Sequence, residues 1–112
     1  MTDITLSSHV LDQHNGKPAS NLEVILYKAD AETELSKALT NDDGRISEWM
    51  PTPSLSPGIY HLTFVTGPWF ESQGITTLYP AISICFEINE AGGHYHIPLL
   101  LSAFGYTTYR GS

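Results

Sequence analysis

Histidines and arginines carry most of the chemistry that this sequence offers. His94 and His96 are separated by a single residue, and His9 lies near the beginning of the chain. A neutral imidazole can take a proton from water, because its ordinary pKa lies near the working pH. Arg45 and Arg110 are the two arginines, so recognition of a carbonyl or an anion by a planar guanidinium must use one of them.

The strands that must position these residues alternate between two faces, since successive side chains of a strand point in opposite directions. In residues 94–102 one face is apolar and consists of Tyr95, Ile97, Leu99 and Leu101. The opposite face holds His94, His96 and Ser102. In residues 4–11 the aliphatic side chains Ile4, Leu6 and Val10 oppose Thr5, Ser7 and His9. The pattern predicts that His9 and His96 project away from the core.

Short extended runs alternate with turn signals along the chain, and long helical periods are absent. One short helix is predicted over residues 68–74, with a proline near its first turn and a glycine at its end. About eight short strands favour an all-β, antiparallel β-sandwich and a single domain over residues 1–112. The predicted strands cover residues 4–11, 22–29, 35–40, 45–49, 59–66, 81–89, 94–102 and 105–112.

The charge balance is acidic, with a formal net charge of −7. A chain with this net charge is not attracted to nucleic acid or to an anionic membrane by its overall charge. No apolar run is long enough to span a bilayer, and the start of the chain lacks the basic and apolar regions of a signal peptide. We therefore expect a cytoplasmic protein.

The one cysteine, Cys85, lies in an apolar run and is expected to be buried and reduced.

The outward histidines have two interpretations. On a monomer such residues are usually solvent-exposed surface residues. In an oligomer a second subunit can cover the outer sheet face and create a pocket. The C-terminal tail favours the second interpretation. Tyr106 and Tyr109 are costly to leave exposed, so we expect a docked tail. It would bring Arg110 and the terminal carboxylate of Ser112 beside residues 94–102.

Several segments, in order, form a recognisable set. S-S-H-V-L-D and N-G-K-P-A open the chain at residues 7–12 and 15–19, and D-D-G-R follows at residues 42–45. S-P-G-I-Y-H-L-T-F occupies residues 56–64, and H-Y-H-I-P-L-L-L-S occupies residues 94–102 before the terminal Tyr109-Arg110-Gly111-Ser112. Across nearly its whole length the chain resembles the transthyretin-related family, and the tail resembles the signature of its branch of 5-hydroxyisourate hydrolases. Ala103 and Thr107 depart from the proline and serine frequent in that family.

The resemblance implies two four-stranded sheets, one short helix and a homotetramer assembled as a dimer of dimers, with sites on the outer sheet faces between dimers. It implies a small purine-derived substrate, 5-hydroxyisourate, whose six-membered ring is hydrolysed at an amide-like N–C(=O) bond during urate degradation. Carried over residue by residue, it implies His9, Arg45, His96 and Ser112 as catalytic residues. Substrate binding is implied for His9, Arg45, Tyr109, Arg110 and Gly111.

Within that implied reaction each residue type has a task. A histidine can activate water and protonate the leaving nitrogen, and the sequence does not decide between His9 and His96. Arg45 can stabilise the developing oxyanion, and the Ser112 carboxylate can orient a histidine. His14 and His61 are expected to be structural or solvent-facing.

Three alternatives accompany this hypothesis. His9, His94 and His96 would suffice in number for zinc with an open position, although the resemblance calls for no metal and no cofactor. A transthyretin-like carrier of a small aromatic ligand is the main rival to the enzyme. A structural or interaction domain is the third alternative, because small sandwiches often belong to larger proteins.

Overall fold

The computed structural model describes residues 3–30 and 32–112, which form two packed sheets and a short helix. The helix, α1, spans Thr66–Glu71, with Pro68 inside its first turn, where a missing N–H costs nothing. The strands are β1 (Ile4–Asp12), β2 (Lys17–Pro18), β3 (Glu23–Lys28), β4 (Glu34–Leu39), β5 (Arg45–Ile46), β6 (Gly58–Phe64), β7 (Ile82–Ile88), β8 (Gly93–Ser102) and β9 (Gly105–Thr108).

One sheet has the order β2-β1-β8-β9, with β5 also paired to β1, and the other has the order β4-β3-β6-β7. The all-β sandwich is thereby confirmed. The pairing of β1 with β8 is parallel, while the other described strand pairs are antiparallel. Sequence alternation does not reveal strand direction, because parallel and antiparallel strands share the same two-residue period.

The ends of several elements differ from the prediction. The helix begins two residues earlier than expected and ends three earlier, and β5 covers only the first two residues of the predicted strand 45–49. β2 lies within a predicted loop. The last strand stops at Thr108, and the tail beyond it contacts the sheet through one further bridge, between His96 and Gly111.

The core lies between the sheets and is formed by the inner residues of both. On β8 these are the predicted Tyr95, Ile97, Leu99 and Leu101, each 5% exposed or less. Burying an aliphatic side chain of this size stabilises the fold by about 1.5–3 kcal/mol. The predicted inner face of β8 is therefore confirmed, and His94 and His96 are left on the outer face.

Cys85 is exposed, so the prediction of a buried thiol was wrong. β7 is the end strand of its sheet, with only one face toward the core. Along β7, Ile82 and Ile88 are buried and the intervening positions alternate between half-buried and exposed, which turns Cys85 outward. The apolar composition of this run concealed the alternation of its burial.

Candidate active site

The outer face of the β1–β8 pair holds an ordered array of polar side chains. The parallel register sets Thr5 beside His94, Ser7 beside His96, and His9 beside Pro98. Residues side by side on neighbouring strands point to the same face, about 4.8 Å apart. Strand pairing thus brings together His9 and His96, which are distant in the sequence.

Arg45 joins this array because β5 pairs with β1 and sets Arg45 beside His9. A tight turn positions Arg45. In this turn the Asn41 side-chain oxygen accepts hydrogen bonds from the backbone N–H groups of Asp43 and Arg45, at 2.9 and 3.0 Å. Gly44 completes the turn with φ +75°, and a Cβ there would collide with the Val10 carbonyl. Only glycine suits both the positive φ and the lack of space for a Cβ, so the turn fixes the position of the Arg45 backbone.

His9 is half-buried, and its orientation is fixed by the same turn. Its Nε2–H donates to the Asp43 carbonyl over 2.9 Å. A carbonyl only accepts, so Nε2 carries a hydrogen, and Nδ1 is an acceptor while the ring is neutral. His9 can therefore accept a hydrogen bond at Nδ1 from a bound molecule.

His96 is held by contacts with both β1 and the tail. It is half-buried, its Nδ1 lies 2.7 Å from the Ser7 hydroxyl, and its carbonyl accepts a hydrogen bond of 2.8 Å from the Gly111 N–H. Burial lowers the pKa of His96, and the nearby His94, Arg45 and His9 lower it further by charge repulsion. The ring is therefore kept neutral at neutral pH, the form that accepts a proton.

The C-terminal tail runs beside β8 in continuous register. Thr108 pairs with Leu99, and three residues later Gly111 pairs with His96. Counting between these pairs sets Tyr109 opposite Pro98. Tyr109, 54% exposed, thus extends the row of Arg45, His9 and Pro98 across the outer face.

Gly111 packs directly against the imidazole of His96. A Cβ at this position would overlap the His96 ring and lie 3.3 Å from Cγ of Pro98. The tail can therefore approach His96 this closely only with glycine at position 111. Ser112 follows directly and is exposed.

Arg110 is the predicted site residue that the structure does not bring to this face. Its Cζ lies 4.3 Å from the ring centroid of Tyr95, an inner-face residue that is 3% exposed. Alternation explains the placement, since Arg110 falls between the outward positions Tyr109 and Gly111. The tail thus brings Arg110 beside residues 94–102, as expected, with its guanidinium over the ring of Tyr95 rather than on the face of the histidines.

Several polar partners of these histidines were not predicted from the sequence. Ser7 bridges the two neighbouring imidazoles of β8, and Thr5 bonds to His94. The alternation of β1 predicted that both hydroxyls lie on the outer face. It did not predict which strand lies next to them. His14 is exposed in a loop, and His61 lies on the other sheet, where Nε2–H donates to the Ala29 carbonyl over 3.2 Å. Both lie apart from the array, as predicted.

Across residues 3–30 and 32–112, no group of three or more histidine, cysteine, aspartate or glutamate side chains is arranged to hold a metal ion. Nor does that part of the chain contain a helix of the length and apolar character required to cross a membrane. The array offers a neutral base, a second imidazole and a guanidinium on one surface. That combination can activate water and stabilise an oxyanion.

Comparisons with known proteins identify relatives of this chain in sequence and in structure. A relative from Salmonella dublin, named 5-hydroxyisourate hydrolase, is 47% identical over 109 residues, which are 96% of this chain and 80% of the relative. The structure of Klebsiella pneumoniae 5-hydroxyisourate hydrolase matches with a TM-score of 0.85 at 37% identity, covering 97% of this chain and 94% of that one.

The crystal structure of transthyretin from Sparus aurata also matches, with a TM-score of 0.85 at 28% identity over 96% of each chain. The model of the HIUase/Transthyretin family matches residues 6–111. The resemblance predicted from the sequence segments is confirmed, and the chain belongs to the HIUase/Transthyretin family.

Proposed function

We propose that this chain hydrolyses 5-hydroxyisourate, opening its six-membered ring to give 2-oxo-4-hydroxy-4-carboxy-5-ureidoimidazoline. The observation that carries the proposal is the single outer surface on which Arg45, His9 and His96 meet beside the docked tail. The relatives named 5-hydroxyisourate hydrolase supply the identity of the substrate.

His96 is the base in this proposal. Its Nδ1 is engaged by Ser7, so Nε2 is free to take a proton from water as the water oxygen attacks the carbonyl carbon. The bond between that carbon and the ring nitrogen then breaks, and His96 returns the proton to the departing nitrogen. Such acid–base help contributes roughly 10²–10⁴-fold in rate.

The remaining residues hold the substrate and its developing charge. Arg45 donates to the oxyanion, and Nδ1 of His9 accepts from a ring N–H of the substrate. Tyr109 supplies an aromatic surface for the bicyclic substrate, and Gly111 allows the tail to approach His96 closely. The Ser112 carboxylate, one residue further, orients the catalytic imidazole. Arg110 contributes indirectly, by fixing the tail on Tyr95.

We further propose the homotetramer, a dimer of dimers in which a second copy covers the outer face. Large apolar side chains are exposed around the β8–β9 turn, including Phe104 at 69% and Leu78 at 63%. Such side chains are typical of protein interfaces. Analytical ultracentrifugation should give a tetramer, and a monomer at the concentrations used for the assay would contradict the covered site.

A cytoplasmic location is also proposed, and the free, exposed thiol of Cys85 is consistent with a reducing compartment. Fractionation of the source cells tests it, and recovery in an oxidising compartment would refute it.

The deciding experiment follows the ultraviolet absorbance of freshly prepared 5-hydroxyisourate. The protein should accelerate its decay, and His9→Ala and Arg45→Ala should abolish that acceleration while remaining folded by circular dichroism. His61→Ala, which removes a histidine from the other sheet, is the matched control and should keep full activity. Decay at the uncatalysed rate with wild-type protein would refute the hydrolase.

A carrier of a small aromatic ligand is the second candidate, favoured by the equally close fold match to a transthyretin. A carrier leaves the decay of 5-hydroxyisourate unchanged and binds an aromatic ligand whose affinity falls when Tyr109 is replaced. The hydrolase gives the opposite result in the absorbance assay.

A further inference from the structure

The hydroxyls of β1 and the imidazoles of β8 form a continuous chain of hydrogen bonds. The Ser7 hydroxyl lies 2.7 Å from Nδ1 of His96 and 2.9 Å from Nε2 of His94. The Thr5 hydroxyl lies 2.6 Å from Nδ1 of His94. This chain begins at the half-buried His96 and ends at the exposed His94 and Thr5.

When both rings are neutral, the number of hydrogens allows this series of hydrogen bonds only two arrangements of donors and acceptors. Ser7 has one hydrogen, so it donates to one ring and accepts from the other. If Nδ1 of His96 donates to Ser7, then Ser7 donates to Nε2 of His94, and Nε2 of His96 is a bare base. If the direction reverses, His96 carries its hydrogen at Nε2 and acts as a donor. Changing from one arrangement to the other moves a hydrogen along every bond.

We infer that Ser7 and His94 form a proton relay that carries the charge generated at His96 to His94, away from Arg45 and His9. The inference rests on the proposed function, in which His96 takes a proton from water. As Nε2 gains that proton, Nδ1–H passes to the Ser7 oxygen and the Ser7 hydrogen passes to Nε2 of His94. The reverse movement returns a proton to the leaving nitrogen, so no proton is gained or lost over the cycle.

The surroundings favour this direction of transfer. An imidazolium at His96 would be half-buried and would face Arg45 from β5 and His9 from β1. His94 is the more exposed of the two rings in the single chain and lies farther along β8 from the row of His9 and Arg45, so a charge there is repelled less. The rings of His94 and His96 are nearly parallel with their centroids 6.4 Å apart, and Ser7 is hydrogen-bonded to both, so its hydroxyl is the path for a proton between them.

The test removes only the connecting hydroxyl. Ser7→Ala should lower kcat between about 10-fold and 100-fold, part of the 10²–10⁴-fold available to acid–base catalysis, with little change in KM. Ser7→Thr keeps a hydroxyl and should restore most of the rate. Ser83→Ala, which removes a similar strand hydroxyl bonded to Thr63 on the other sheet, is the matched control and should leave kcat unchanged.

Two further readouts separate a relay from a merely structural hydroxyl. In Ser7→Ala, kcat should become dependent on the concentration of a small buffer such as imidazole, which replaces the missing acceptor. The dependence of wild-type kcat on the deuterium fraction of the solvent should be curved, as expected for several protons in motion, and should become linear in Ser7→Ala. A rate loss without either change would overturn the relay.

Nitrogen NMR of the resting protein tests the chain without any turnover. In the wild-type protein the nitrogen shifts should show the hydrogen on the same ring nitrogen, Nδ1 or Nε2, in both His94 and His96, and Ser7→Ala should remove that match. Different tautomers of the two neutral rings in wild-type protein would overturn the relay even if the enzyme is active. Matched tautomers in a protein that leaves 5-hydroxyisourate untouched would instead refute the proposed function and the catalytic use of the relay, while retaining the hydrogen-bond chain.

Discussion

The two faces of β8 are built from alternate residues of one strand, yet different forces shape them. The inner face, Tyr95 to Leu101, is apolar and nearly inaccessible to solvent. The outer face, with His94 and His96, is organised by hydrogen bonds to β1 and to the tail. Burial stabilises the first face, and strand register arranges the second. Stability and activity should therefore be separable by the choice of odd or even positions along β8.

The largest expected contrast lies between His96 and Leu99. His96→Asn should reduce kcat by about 10²–10⁴-fold, since it removes the general base, while the midpoint of thermal unfolding changes little. Leu99→Ala empties a fully buried position and should lower the free energy of unfolding by about 2–5 kcal/mol. Its kcat per folded molecule should stay near that of wild type.

Urea unfolding and the absorbance assay, applied to both variants, measure this contrast. If Leu99→Ala lost kcat as severely as His96→Asn while still folded, the two faces would not be independent. If His96→Asn unfolded readily, the outer face would be part of the stabilising core.

The two arginines give the second contrast, because they lie on opposite sides of the sheet. Arg45→Gln should lower kcat/KM by about 10²–10³-fold, the usual effect of removing an oxyanion donor. Arg110→Gln removes a cation that lies over Tyr95, a contact of about 0.5–1 kcal/mol at exposed sites, and should affect activity far less. Equal losses in steady-state kinetics would place both guanidinium groups in the catalytic step.

The pH dependence of kcat/KM sharpens the comparison of the arginines. Activity should fall as the pH drops below the pKa of His96, because a protonated imidazole cannot accept a proton. Burial, His94, Arg45 and His9 together lower that pKa, so wild-type activity should extend to a lower pH than an ordinary histidine allows. Replacing Arg45 with glutamine removes one source of repulsion, raises the pKa of His96 and should move the acidic limb to higher pH. Arg110→Gln should not move it.

The sequence predicted much of the fold and part of the site, for identifiable reasons. Alternation correctly assigned Tyr95, Ile97, Leu99 and Leu101 to the core, because burial imposes a two-residue period. The failure at Cys85 came from an edge strand, whose apolar composition outweighed its alternation. The outward direction of His9 and His96 also followed from the period.

What could not be predicted from the residues alone is which strands are neighbours. The parallel register of β1 and β8 brings Ser7 between two imidazoles, and no local pattern in either segment specifies that register. The face toward which Arg110 points could not be predicted for a related reason. The tail continues the pairing of β9, so its alternation separates Arg110 from Tyr109 and Gly111.

The smallest expected effect compares two glycines beside the same strand. Gly111→Ala introduces a methyl group against the His96 ring, and the ring must move away from its position beside Ser7. Displacements of about 1 Å can reduce rates by as much as 10²-fold, so we expect kcat to fall by about 10-fold to 100-fold. Gly105→Ala has open space around its new methyl group and should keep full activity. Both positions add little core area, so thermal unfolding should be nearly unchanged in the two variants. Unchanged kcat in Gly111→Ala would mean that the tail does not fix the catalytic imidazole.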